Sequence, residues 1–231
     1  MKAPARTFLF VCILAGAAWH GAMAQLTPTQ HQKLVNVARW LGKLGIHYSQ
    51  EWRPPDEQSE WVMDCSNTAR YIYRKALGME LPRTASDQYY ELSLQRRITL
   101  APRTADDGVD TPALLKMLRG GDLLFWEWTY NIKRRPPITH VMVYLGQTAN
   151  GAPKMVGSAC GARGERTRSG GVDVYVFDPN ESSGGVRGFF GGYVKRGRFV
   201  GFGRPASSTQ VEASPPPMVS TAALRPAANP N

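Results

Sequence analysis

Two side chains in this sequence, Cys65 and His140, have the types that nucleophilic acyl chemistry needs: a thiol to attack and an imidazole to move protons. Cys65 stands near the start of DCSNTARYIYRKALG, residues Asp64 to Gly78. Within that segment Ala69, Ile72, Tyr73, Ala76 and Leu77 recur at the spacing that puts them on one face of an amphipathic helix. Asp64 suits the N-cap, and Gly78 suits the left-handed residue that ends a helix. Free N–H groups and the positive dipole end at a helix start favour a thiolate, with a pKa of roughly 3.5–7.5 instead of ~8.5. The competing reading is a small buried hydrophobe, the usual role of a cysteine. His140 follows the loop Thr129 to Thr139 at the start of a predicted strand, at the rim of a cleft. There it can take the Cys65 proton and return it to a leaving amine, a role that contributes on the order of 10²–10⁴ in rate. A structural histidine fits the same position. His31 and His47 fall on and just after a predicted first helix and read as exposed or locally bonded.

Residues 1–24 have the form of a secretory signal peptide. Lys2 and Arg6 form the basic end, Phe8 to Ala18 the apolar run, and Ala22-Met23-Ala24 the small-residue cleavage site before Gln25. The apolar run is too short to span a bilayer, and Cys12 lies inside it instead of at the cleavage junction, so a soluble exported protein is expected, in the periplasm or outside the cell. Loss of the signal leaves 26 Lys and Arg against 18 Asp and Glu. A basic exported surface fits an acidic polymer such as the cell wall, or a lipid headgroup layer, better than nucleic acid. Cys65 and Cys160 survive processing, and a structural disulfide between them is the alternative to a free nucleophile. There is no CxxC, HExxH, GxGxxG or P-loop pattern. A zinc site would have to combine Cys65, His140 and Cys160 without support from spacing, so neither metal nor cofactor is expected.

One domain is expected over 25–205, followed by a disordered Pro/Ala/Ser-rich tail over 206–231. Leu26 to Gly45 predicts a helix capped by Thr27 with Pro28 at N1, and Ile46 to Met63 an ordered loop leading to Cys65. A second helix is expected from about Thr84 and a short third one from Thr111-Pro112 to Gly120-Gly121. Short β-branched and aromatic runs then predict strands at Leu123 to Trp128, Val141 to Leu145, Lys154 to Val156, Val172 to Phe177 and Phe199 to Phe202. Gly161 to Gly171 reads as a mobile charged loop and Gly184 to Gly192 as a glycine-rich excursion. Helices first and an antiparallel sheet after describe an α+β domain.

Taken together, four blocks resemble the NlpC-type cell-wall cysteine endopeptidases of the papain-like superfamily. They are Asp64-Cys65-Ser66 with its helix, Leu81-Pro82-Arg83-Thr84 with Asp87-Gln88, Gly121-Asp122-Leu123-Leu124-Phe125, and His140-Val141-Met142-Val143-Tyr144-Leu145-Gly146. The resemblance runs from about Tyr48 to Gly203 and implies N-terminal helices packed on a small antiparallel sheet. It further implies cleavage of peptidoglycan stem peptides, typically between D-glutamate and a diamino acid, with Cys65 as nucleophile and His140 as base and then acid; a monomer is expected. The Cys65 N–H would join the oxyanion hole, where one well-aimed donor is worth roughly 2.7–4 kcal/mol. Tyr48 resembles the family's upstream tyrosine, and Asp64 and Ser66 match positions that contact the stem peptide in relatives, while capping the helix is the other reading of Asp64.

Two departures stand out. Asn67 replaces a common glycine, and no histidine follows His140 to supply the third polar group that orients the imidazole. In the matching segment 154–160 the nearest polar candidate is Ser158, with a backbone carbonyl, Gln147 and Asp173 as competitors. The alternatives to a peptidase are a papain-like amidase or acyltransferase on another amide or ester, and a non-catalytic wall-binding module with a degenerate fold.

Overall fold

The computed structural model describes residues 25–51 and 61–205; the signal peptide read at 1–24, part of the loop before Cys65, and the tail at 206–231 lie outside the described residues. In chain order the elements are α1 (Pro28–Leu41), β1 (His47–Tyr48), β2 (Val62–Met63), α2 (Cys65–Leu77), α3 (Ala85–Leu94), β3 (Ile98–Leu100) and α4 (Thr111–Met117). They are followed by β4 (Leu123–Glu127), β5 (Ile138–Gln147), β6 (Pro153–Cys160), β7 (Gly170–Val176), β8 (Gly185–Arg187), β9 (Tyr193–Arg196) and β10 (Arg198–Gly203). The main sheet is antiparallel with strand order β3-β10-β4-β5-β6-β7, so the architecture is the expected α+β one.

Local chemistry sets the helix ends. Thr27 and Gln30 close a reciprocal capping box on α1, and Pro28 occupies its first turn, where a missing N–H costs nothing. On α2, Asp64 accepts from Asn67 N at 2.7 Å, and Gly78 adopts φ +67, which a Cβ would make costly. Ala69, Ile72, Tyr73 and Ala76 are buried as the spacing predicted. So are Cys65, Ser66, Asn67 and Thr68, because the start of α2 is driven into the interior.

Alternation along the strands divides the core in two. Leu123, Phe125, Val141, Val143 and Val156 face α1, α2 and α3. Leu124, Trp126, Met142 and Tyr144 face the other way, onto Phe177, Phe199, Phe202 and Leu114 of α4. Several elements escape the sequence reading. The two-residue strands β1 and β2 pair in parallel within the predicted loop, β3 lies on the sheet edge, and β8 and β9 form a separate hairpin within and beyond the glycine-rich stretch. The stretch after β6 is ordered, not free: the buried Asp173 carboxylate accepts from Arg166 N at 2.6 Å and Thr167 N at 2.7 Å.

Candidate active site

The ladder between β5 and β6 stops at Val143 and Val156, whereas β6 stays paired with β7 as far as Cys160 and Gly170. The sheet is therefore open beside residues 140–142, and the start of α2 fills the opening. Backbone N–H groups lie in the plane of a sheet, and the N–H of Val141 faces the Cys65 sulfur, together with the N–H groups of Ser66 and Cys65 itself. The thiol thus meets the residue next to His140. The register pairs His140 with Trp126, and the two rings lie 5.5 Å apart at 59°. His140, Trp126, Tyr48, Tyr130 and Cys160 line a cavity of about 750 Å³; Cys65, only 6 % exposed, lies outside its wall.

Burial governs the electrostatics here. The Cys65 thiol is pushed up to about 12 by desolvation first and by the neighbouring Asp64 second, and the three N–H groups offset only part of this. A thiolate was expected from the helix start alone; the structure corrects this, since the dipole and its donors act in the expected direction but desolvation is larger. His140, 8 % exposed, is pushed down to about 4 by desolvation. Near neutral pH the resting pair is therefore a thiol and a neutral imidazole. The Tyr48 hydroxyl is raised by burial and then by Cys65, Asp64, Tyr130 and Cys160, so it remains a hydrogen-bond donor.

These shifts have opposite pH signatures. The unfolded chain holds the His140 proton more tightly than the fold does, so stability falls as pH drops from about 6.5 through about 4. The fold holds the Cys65 proton more tightly, so stability also falls as pH rises from about 9 towards about 12. His140→Gln should remove about 3 kcal/mol of the acid-side loss, read from urea unfolding near pH 7 and near pH 4. An acid limb of unchanged depth in the variant would show that His140 is not the buried neutral group.

The other expected residues have definite partners. Asp64 and Ser66 face each other at 3.0 Å, and Arg83 reaches both, at 2.8 Å to the Asp64 carboxylate and 3.0 Å to the Ser66 hydroxyl. Arg83 was legible only as part of its block, and its role in this cluster emerges from the fold. Ser158 is the main correction. Its hydroxyl donates to Met63 O at 2.7 Å, and it shares the helix-facing side of β6 with Val156, on the face opposite His140. On the His140 side β6 presents Gly157, where an added Cβ would run into the Met142 sulfur, so the space over Gly157 is filled by a thioether. Asp173 is spent on the loop that precedes β7, and Gln147 lies seven residues along β5, roughly 23 Å away at about 3.3 Å per residue. Among the described residues no side chain hydrogen-bonds the His140 ring; its ring neighbour is Trp126, tilted against it.

Cys65 and Cys160 are both free, one buried and one exposed, so the expected alternative of a disulfide is not realised. His31 Nε2 donates to Leu145 O, 3.0 Å away and 114 residues along the chain, so it is half-buried and bonded across the fold where an exposed or locally bonded side chain was expected; His47 is exposed, as expected. Among the described residues no group of three or more His, Cys, Asp or Glu could hold a metal, and no helix is long and apolar enough to cross a membrane.

Residues 52–159 match the sequence model of the NlpC/P60 family. The chain is 33 % identical over 112 residues to the "Probable endopeptidase YafL" of Escherichia coli (strain K12), an alignment covering 48 % of this chain and 35 % of that one. It thus spans about a third of the length of this curated relative. The crystal structure of a lipoprotein-like NLP/P60 family protein from Staphylococcus aureus subsp. aureus Mu50 is 19 % identical, covers 66 % of this chain and 38 % of its own, and superposes with a TM-score of 0.39, too loose to bear on the architecture.

Proposed function

We propose that this chain, which belongs to the NlpC/P60 family, is an exported cysteine endopeptidase of peptidoglycan stem peptides, of the D-glutamyl-diamino acid type. The observation that carries the reading is the opening between β5 and β6, in which the Cys65 sulfur faces the Val141 N–H directly beside His140. As the sulfur attacks the scissile carbonyl carbon, His140 takes the thiol proton. Because thiol and imidazole both rest neutral, transfer and attack occur together. The carbonyl oxygen becomes an oxyanion, received by the Cys65 N–H with the Tyr48 hydroxyl as second donor. His140 then protonates the leaving amine, the C–N bond breaks, and a thioester remains. Water, deprotonated by His140, hydrolyses the thioester and releases a carboxylic acid; the proton returns to the sulfur.

In this reading Trp126 is a positioning residue: its ring orients the imidazole where a third polar group would otherwise act. Asp64, Ser66 and Arg83 form a charged corner suited to the polar backbone and amine of a stem peptide, and Asp64 at the same time caps α2. The missing polar partner of His140 favours one second reading, a wall-binding module without turnover.

The test incubates the chain from Gln25 to Asn231 with defined peptidoglycan fragments under reducing conditions and identifies products by mass. A new fragment with a free D-glutamyl carboxylate supports the endopeptidase; cleavage elsewhere reassigns the bond. No product, with retention on intact wall material, establishes the binding module instead.

A further inference from the structure

The β8–β9 hairpin carries the most exposed apolar side chains among the described residues. Phe189 is 98 % and Phe190 97 % exposed, and the two rings touch only each other, edge to face at 5.4 Å. Val194 and Tyr193 are also exposed. The tip is built, not frayed: Gly188 N donates to Gly192 O at 2.8 Å, Gly191 N to Gly188 O at 3.0 Å, and Arg187 to Gly191 O at 2.8 Å. A soluble protein rarely holds two phenylalanines in water without an occupant for them.

We propose that this hairpin is a membrane-docking element, seating the Phe189–Phe190 tip in an anionic phospholipid surface while its cations meet the headgroups. Charge selects this occupant. Residues 185–198, GVRGFFGGYVKRGR, contain four basic residues and no acidic one. Arg198 is taken up by Glu127 at 2.6 Å, whereas Arg187, Lys195 and Arg196 stay with the hairpin, over Tyr193 and Trp128. A second copy would bring these cations against their like. A glycan strand would find no carboxylate, amide, serine or threonine for its hydroxyls, and two crossed rings offer no flat platform. An interfacial anchor needs an apolar tip and a cationic collar, and both are present.

The hairpin is fixed to the rim of the His140 cavity: Gly185 N donates to Thr129 O at 2.8 Å, and Lys195 lies over Trp128 at 3.8 Å. Thr129, Tyr130 and Gly184 line that cavity. Docking would therefore hold the cavity against the membrane face, whatever reaction it performs.

The chain from Gln25 to Asn231 should co-sediment with vesicles of phosphatidylglycerol and phosphatidylcholine and only weakly with pure phosphatidylcholine. F189S/F190S should lower partitioning about tenfold or more, and K195Q/R196Q, which removes two charges at roughly fivefold each, should lower it about 25-fold on anionic vesicles alone. The melting temperature should stay at the native value in both variants, since none of these side chains is core. Equal partitioning of native protein and F189S/F190S overturns the proposal. So does a native protein that ignores both vesicles, including one that dimerises through this tip in a way F189S/F190S abolishes.

Discussion

Cys65→Ala should lower kcat/KM on a susceptible stem peptide by on the order of 10⁴ or more and leave the fold in place. The nucleophile cannot be replaced by water held in the same site, because the attacking atom and the thioester intermediate disappear together. The structural cost is small. The sulfur fills a gap beside Val141, and its loss is worth about 1 kcal/mol, with the N–H groups of Val141, Ser66 and Cys65 losing only a weak sulfur acceptor. His140→Gln, which keeps side-chain bulk against Trp126, should cost about 10²–10⁴. Because the two residues act as one unit, the double variant should be no worse than Cys65→Ala. Steady-state rates of the four proteins, with circular dichroism as the fold check, decide it. Turnover within tenfold of native in Cys65→Ala would remove Cys65 as the nucleophile.

Arg204→Ala should destabilise the fold by about 3–5 kcal/mol, the largest structural effect expected of a single polar substitution here. Arg204 closes a two-pronged bond on Asp122, with Nε at 2.7 Å and a terminal nitrogen at 2.8 Å, and Asp122 is 1 % exposed. Burial already raises the Asp122 carboxyl above its usual range, with Arg204 opposing the shift. Removing the guanidinium would leave that charge enclosed just before β4, beside Gly121, whose carbonyl takes the Tyr73 hydroxyl from α2. The pair thus ties the chain after β10 to the turn that starts β4 and, through Tyr73, to α2. The control is D122L/R204M, which leaves no charge unpaired and should lose much less. Urea midpoints measure both; a loss below about 1 kcal/mol in Arg204→Ala would mean that water satisfies Asp122 without its partner.

The sequence alone determined the elements whose causes are local. Asp64 and Gly78 bound α2 because a cap needs an acceptor and a left-handed end tolerates glycine. Strand alternation around Phe125-Trp126 and Val141-Met142 follows from the backbone period alone, although the structure is needed to show that both faces are core. The short strands β1, β2, β8 and β9 were invisible because two to four residues carry too little periodicity.

Tertiary structure decided what alternation cannot, namely where a ladder stops and which residues then oppose each other. That β5 and β6 part beyond Val143 and Val156 is set by the start of α2 and by Met63, whose carbonyl takes the Ser158 hydroxyl across 95 residues of sequence. Ser158 looked like an orienting group because it is the nearest polar residue in the matching segment, but one step along a strand reverses the face. Gly157 holds the facing position, and Met142 fills it. The charge state of the pair followed the same division. A helix start favours a thiolate wherever it stands, but only packing fixes how much water the sulfur keeps, and here desolvation outweighs the dipole.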